Sequence, residues 1–203
     1  HLMLRLTFVT VIMLFVALTT FAQDNTKNAP EKSYTAAPKL VVGIVVDQMR
    51  YDYLTRFYNR FGDEGFKRLV SQGYNFKNAH FNYVPTYTGP GHAAIFTGTT
   101  PQNNGIISND WYNKFEGQSV YCVQDDSQTS VGTSSKDGQM SPHRMQTTTF
   151  SDQNRLHTQM RGKSIGISLK DRGAILPAGH AANAAYWFEA GALGHWISSS
   201  YYM

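Results

Sequence analysis

The chain has 203 residues, 13% aromatic and 16% charged, which is enough for one domain with a sizeable core and excludes an intrinsically disordered protein. The formal net charge of +4 comes without any cluster of Lys and Arg. Nucleic acid is therefore not indicated as a specific partner.

The first residues, "HLMLRLTFVTVIMLFVALTTFAQDN", place a basic Arg5 before an uncharged apolar run over residues 6–22. This is the layout of a secretory signal peptide (1–22), with cleavage expected after Ala22 and a periplasmic or secreted location. An uncleaved anchor is the alternative, since the run approaches the lower length limit of a spanning helix. The polar threonines and the Thr-Phe-Ala ending favour cleavage, after which no membrane contact is expected. No Cys follows, so a lipid anchor is not indicated. Residues 23–38 are polar, carry Pro30 and Pro38, and read as a linker. The single Cys122 cannot form an intrachain disulfide. In "SVYCVQD" it reads as a small buried hydrophobe in a strand.

Order is expected to begin at "KLVVGIVVDQMR". The continuous β-branched run over 40–46 predicts a strand buried on both faces, ending at Asp47. Helical spacing of Tyr51, Leu54, Phe57 and Tyr58, with a second apolar group at 66–70, predicts helix across 51–73. "YNFKNAHFNYV" alternates like a strand. In "YVPTYTGPGHAAIFTG", residues 83–98, Thr86 and Thr88 precede Gly-Pro-Gly and a helix that includes 93–96. Such threonines can cap a helix that carries Pro in its first turn. They can equally present a nucleophile at a helix N-terminus, where an anion is welcome.

Residues 110–139 are rich in turn formers, with one short strand expected at 119–123. "FSDQNRLHTQM" predicts a helix with Ser151 as N-cap. "KSIGISLKD" predicts a second buried strand that again ends in charge. "AAYWFE" and "HWISSSYY" predict a hairpin. Strands alternating with helices imply an α/β sandwich around a mostly parallel sheet. An apolar strand pattern running to Met203 without a polar tail suggests truncation there.

Ligand sites in open α/β sheets lie beyond the carboxyl ends of strands. Asp47 sits at one such end, and Lys170, Asp171 and Arg172 sit at another. Singly, each has a plain explanation: a turn aspartate, a solvated charged turn, a pair of capping threonines. Together, "VVGIVVDQMR", "YVPTYTGPGHAAIFTG", "GIISNDWY" and "SLKDRGAILPAGH" resemble, in that order and spacing, the alkaline phosphatase superfamily. The likeness is strongest to the bacterial monomeric alkaline phosphatases with a threonine nucleophile (the PafA-like group). It runs from about Lys39 to the end of the chain.

That resemblance implies an alkaline-phosphatase-like sandwich, of which 39–203 would be the N-terminal part of the catalytic domain. It implies a zinc-dependent phosphate-monoester hydrolase, monomeric, that takes small monoesters and releases inorganic phosphate through a phosphothreonine. Asp47 would ligate one of two zinc ions. Thr88 would be the nucleophile and a zinc ligand, and Thr86 a hydroxyl supporting the turn. Asn109 would donate its amide to a phosphoryl oxygen, and Lys170 and Arg172 would reach the same group. The remaining zinc ligands are expected beyond Met203. His92 and His180 are read as core or helix-facing histidines rather than ligands.

The chemistry needs these residue types. A threonine hydroxyl is a weak nucleophile at neutral pH. Bound zinc lowers a hydroxyl's pKa, as it takes water from about 15.7 to about 7, and a second metal about 4 Å away stabilises the leaving oxygen. Amide and guanidinium donors suit charge spread over phosphoryl oxygens. Nucleotide pyrophosphatases and phosphodiesterases of the same superfamily are the alternative, since they share the threonine, the asparagine and the aspartate. The cations of "LKDR" favour the monoester, whose phosphoryl carries one more negative charge; a unit pair at 4 Å is worth about 4 kcal/mol at a dielectric of 20. Sulfatases are disfavoured because their modified Cys or Ser motif is absent. A non-catalytic phosphate-binding paralogue is the reading from another class. With one expected carboxylate ligand and the nucleophile, this stretch alone is expected to be inert.

Overall fold

The computed structural model describes residues 38–191 and 194–203. The expected signal peptide and all but the last residue of the expected linker lie outside them. The chain divides into two compact units, His1–Ile44 and Val45–Met203. Of the first unit, residues 38–44 are described. They have no helix or strand, and Leu40, Val41, Val42 and Ile44 are exposed.

The second unit contains, in order, α1 (Tyr53–Arg56), a 3₁₀ turn, α2 (Phe66–Gln72), α3 (Thr88–Thr97), α4 (Pro101–Asn104), β1 (Asp110–Asn113), β2 (Gln118–Tyr121) and β3 (Ser130–Val131). α5 (Phe150–His157), β4 (Ile165–Ile167), α6 (Asp171–Ala178), β5 (Ala184–Glu189), β6 (His195–Ser199) and a final 3₁₀ turn follow. β1 and β2 form a separate antiparallel hairpin in which Asp110 faces Tyr121. The other four strands form one sheet in the order β3-β6-β5-β4. Only β4 and β5 run parallel; β5–β6 and β3–β6 are antiparallel. The α/β architecture is present, with a mixed sheet among the described residues. None of the described helices is long and apolar enough to cross a membrane.

β4, α6 and β5 make one parallel crossover unit, and α6 packs against α3, β4 and β5. Its inward face, Ala174, Ile175, Leu176 and Ala178, is fully buried. These side chains join Ala93, Ile106, Val123, Ala185, Trp187 and Ile197 in the core. The crossover delivers Lys170, Asp171 and Arg172 to the carboxyl end of β4, where α6 starts. Gly166 lets β4 lie this close: a Cβ there would collide with the Ala174 carbonyl and the Ala178 methyl.

Several elements expected from the sequence are absent or different. No strand forms over 40–46 or 74–84, and most of the large apolar side chains there are exposed. A strand needs neighbours for its N–H and C=O groups, and no described strand pairs with either run. The helix expected across 51–73 is broken into short pieces by "FGDEG", which carries two poor helix formers. β4 is three residues long and half-exposed, with Ile165 and Ile167 outward and only Gly166 buried. It is an edge strand of the described sheet, and Ile165 and Ile167 lie on a face that no described element buries. The expected strand at 119–123 forms as β2 but stops at Tyr121, with Cys122 and Val123 in the turn beyond it, and the expected hairpin forms as β5–β6.

The N-cap of α5 is Thr149 rather than Ser151. The Thr149 hydroxyl accepts the Asp152 N–H at 3.0 Å, and the Asp152 carboxylate accepts the Thr149 N–H at 2.9 Å. Asp152 is nearly fully buried and also accepts the Ala181 N–H at 2.7 Å. His180 faces it with Nδ1 at 3.4 Å, while Nε2 lies 2.8 Å from the Met145 carbonyl. Both ring nitrogens thus meet acceptors, which suits the doubly protonated ring. Burial raises the Asp152 carboxyl, but the bonds from His180 and the two backbone N–H groups outweigh it and leave the pKa below its ordinary value. The Asp152 bond raises the pKa of His180 against the opposing effect of burial.

Two outcomes are expected. Gly166→Ala should cost about 1–3 kcal/mol by overpacking, read as a lower urea midpoint at unchanged slope. The depressed Asp152 stabilises above the ordinary carboxylate range, and this is lost as pH falls through its lowered pKa. The raised His180 stabilises fully below about pH 6.5 and loses this as pH rises through its raised pKa. Urea unfolding across that upper window should show a decline in stability that His180→Gln flattens.

Candidate active site

α3 begins at Thr88, and its N-cap is Tyr87, which makes no side-chain capping bond. The capping explanation for the threonines therefore does not hold. The Thr88 hydroxyl points away from the helix and donates to Asp47 Oδ2 at 3.2 Å across 41 residues. Thr86 is exposed, and among the described residues its hydroxyl supports nothing, contrary to the turn-supporting place expected for it. Pro90 occupies the first turn, where its missing N–H would have had no helical partner anyway.

The Gly89 N–H, another first-turn donor, is taken by Asn109 Oδ1 at 2.7 Å. Because that partner can only donate, the Asn109 carbonyl oxygen must face Gly89 and the amide NH₂ is left to point elsewhere. Gly89 eases this approach: a Cβ would sit tightly, 3.1 Å from Asn109 Oδ1 and 3.3 Å from Cys122 Sγ. His92, one turn along α3, is buried, with Nδ1 2.8 Å from the Thr88 carbonyl. It is a helix-facing histidine, as expected. Cys122 is fully buried beside this contact, and burial pushes its thiol up to about 12. It is inert packing at neutral pH, buried as the sequence suggested, but it sits in the turn just after β2 rather than in a strand.

Asn109 leads directly into β1, and its carbonyl accepts the Cys122 N–H at 2.8 Å. Tyr121, the last residue of β2, accepts from Arg172 Nη1 at 2.8 Å. The hairpin thus connects the Thr88–Asn109 side of the site to Arg172. Lys170 and Arg172 border a cavity of about 300 Å³ together with Tyr121, Trp187 and Glu189. Lys170 is exposed and Arg172 is half-buried. Among the described residues no hydrogen bond joins either cation to Asp47, Thr88 or Asn109. So the structure joins Asp47 to Thr88, and Asn109 to the first turn of Thr88's helix. It holds Arg172 on the same hairpin as Asn109, and it leaves Lys170 free at the cavity edge.

Tyr121 belongs to this arrangement without having been singled out by sequence; Asp171 is placed at the strand end by the sequence, but without this bond. The Tyr121 hydroxyl donates to Asp171 Oδ1 at 2.6 Å. Burial, then the neighbouring Asp171 carboxylate, drives the Tyr121 pKa far above its ordinary value. Tyr121 and Arg172 are 51 positions apart, so no local spacing signals their contact. The only sequence cue was the place of Tyr121 within a short expected strand.

Asp47 and Thr88 offer two oxygen donors on one side of a possible zinc shell, which takes four ligands. Among the described residues no group of three or more His, Cys, Asp or Glu side chains is placed to hold a metal. These residues fit one side of a zinc site and do not complete it.

The family model described as type I phosphodiesterase / nucleotide pyrophosphatase matches residues 41–201. A Myroides odoratus protein named calcium-transporting ATPase is 54% identical over 166 residues, covering 82% of this chain and 30% of its own length. Alkaline phosphatase PhoV of Synechococcus elongatus is 52% identical over 168 residues, covering 83% and 30%. The crystal structure of wild-type alkaline phosphatase PafA superposes with a TM-score of 0.80 at 50% identity, covering 83% of this chain and 33% of that one. The chain spans about 30% of the length of the curated relatives it matches. A solved PafA variant carries substitutions at a threonine and an asparagine 21 positions apart and at a lysine and an arginine two apart. Thr88 and Asn109, and Lys170 and Arg172, have the same two separations.

Asn109→Ala should leave the Gly89 N–H without its acceptor and cost about 1 kcal/mol, in the range of a lost helix cap. Asn109→Asp, which keeps an oxygen there, should cost less. Chemical denaturation of the two variants checks the difference.

Proposed function

This chain belongs to the type I phosphodiesterase / nucleotide pyrophosphatase family of the alkaline phosphatase superfamily, and from that premise we propose that the protein is an exported, zinc-dependent phosphate-monoester hydrolase. The observation that carries the proposal is the Thr88 hydroxyl aimed at Asp47, with Asn109 anchored on the next residue of the same helix turn. The residue separations shared with the substituted PafA positions support the assignment of Thr88, Asn109, Lys170 and Arg172. Export rests on the leader at 1–22.

In this reading Thr88 Oγ attacks phosphorus in line with the leaving oxygen. The hydroxyl gives up its proton to water. The new Oγ–P bond forms as the ester P–O bond breaks, and the leaving oxygen departs with the electron pair and takes a proton from water to become the alcohol. The Asn109 NH₂, free because its carbonyl is occupied by Gly89, donates to a non-bridging oxygen. Arg172 and Lys170 meet the remaining phosphoryl charge from the end of β4. Water then cleaves the phosphothreonine, restores Thr88 and releases phosphate. Two zinc ions, one of them held in part by Asp47 and Thr88, would supply the positive charge that makes the hydroxyl a nucleophile and steadies the leaving oxygen.

The second reading, a phosphodiesterase, is favoured by the description of the matching family. The two cations at the end of β4 weigh against it, because a diester presents one less negative charge to them. The ATPase name of the Myroides relative adds no separate site, since a terminal phosphoryl of a nucleotide is met by the same groups.

Trapping the complete polypeptide during turnover should give a phosphopeptide containing Thr88; a label on any other residue refutes the proposal. Thr88→Ser should retain part of the activity and Thr88→Ala should abolish the covalent route. Lys170→Ala and Arg172→Ala should lower the monoester-to-diester preference more than tenfold, as about half of a ~4 kcal/mol charge pair implies. With two zinc donors among the described residues, residues 23–203 alone should show no Thr88-dependent turnover of p-nitrophenyl phosphate with zinc present.

A further inference from the structure

Three hydrogen bonds close a small ring at the start of α6. Arg172 Nη1 donates to the Tyr121 hydroxyl at 2.8 Å, that hydroxyl donates to Asp171 Oδ1 at 2.6 Å, and the same oxygen accepts the Arg172 backbone N–H at 2.6 Å. Resting on the reading of Arg172 as a phosphoryl-binding group, we propose that Tyr121 is a positioning residue that aims the Arg172 guanidinium, with Asp171 fixing the direction of the Tyr121 hydroxyl.

Proton counting leaves one arrangement. Arg has donors only, so Tyr121 must accept from it. The phenol has one proton, and the acceptor available for it is the Asp171 carboxylate. Both hydroxyl roles are then used, and neither can be exchanged without breaking a bond in a half-buried setting. The phenol does not ionise out of this role, since burial and Asp171 both oppose the phenolate. The guanidinium Cζ also lies 5.7 Å from the centre of the same ring, within reach of its π face.

Only Nη1 is spent on Tyr121. Arg172 Nε is buried without a protein partner, and the side chain borders the cavity that Lys170 also lines. An arginine held at one corner presents its remaining N–H groups in a set plane, which is what two phosphoryl oxygens need for paired bonds. Tyr121 stands on β2, opposite Asp110 and so next to Asn109. One rigid hairpin thereby sets the distance between the amide and the guanidinium that are to share a phosphoryl group.

The test compares wild type, Tyr121→Phe, Arg172→Ala and the double variant of the complete polypeptide on p-nitrophenyl phosphate and bis-p-nitrophenyl phosphate. Tyr121→Phe keeps the ring and removes the hydroxyl. It should lower monoester kcat/KM about tenfold while diester kcat/KM stays within about twofold, and the double variant should match Arg172→Ala. Equal losses on both substrates, or additive losses in the double variant, would overturn the proposal. Crystal structures of wild type and Tyr121→Phe provide a readout that does not depend on turnover: the guanidinium should be displaced or spread over several positions, and an unmoved Arg172 would sink the positioning role. If Arg172→Ala leaves monoester hydrolysis intact, phosphoryl binding by Arg172 fails, whereas the crystallographic comparison still decides what Tyr121 does.

Discussion

The bond from the Gly89 N–H to Asn109 Oδ1, at 2.7 Å, ties together the two halves of the candidate site. The donor is a first-turn N–H that has no partner within its own helix, so an outside acceptor is strongly favoured. Asn109 meets that need, and the same contact sets which end of its amide is left over. Because Gly89 directly follows Thr88, the bond also fixes the distance between the hydroxyl and the amide. The absence of a side chain at residue 89 eases it, since a Cβ would press on Asn109, Ser108 and Cys122 together.

From Asn109 the constraint passes into the hairpin and out to Arg172. The Asn109 carbonyl holds the Cys122 N–H, and Tyr121 holds the guanidinium. The helix that begins beside Arg172 is in turn fixed by apolar packing of Ala174, Ile175, Leu176 and Ala178 against α3, β4 and β5. Polar direction and apolar position are thus supplied by different groups. The core determines where α3 and α6 lie; a few hydrogen bonds determine where Thr88, Asn109 and Arg172 point. Asp47 is connected to this framework by the Thr88 hydroxyl alone among the bonds described. Its carboxylate and that hydroxyl are two oxygen donors, and the proposed two-zinc chemistry needs more than these.

Much of the site was legible in the sequence for a physical reason. Each group that would touch substrate sits at a strand end or helix start, in a short motif of small residues and turn formers, and such motifs are read locally. Thr88 before Gly-Pro-Gly, Asn109 in "SNDW", and Lys170 and Arg172 in "LKDR" all follow this pattern. Tyr121 was not legible, because its importance lies in bonds to Asp171 and Arg172 across some 50 residues. The N-cap of α5 was misplaced by two residues because Ser151 and Thr149 have similar capping propensity. What separates them is that Asp152 can reach back to the Thr149 N–H.

By itself the sequence determined the family, through four motifs that resemble those of its members, and, from local pattern, the helix after Gly-Pro-Gly, the helix at α5, the β5–β6 hairpin and the burial of Cys122. Tertiary structure alone decided that the runs at 40–46 and 74–84 remain outside any sheet, that β4 is short and open on one side, and that the described sheet is mixed. A helix satisfies its backbone within its own segment, so its residues announce it. A strand is completed by partners far away in the chain, and so is the orientation of an amide or a guanidinium; neither can be read from neighbours along the sequence.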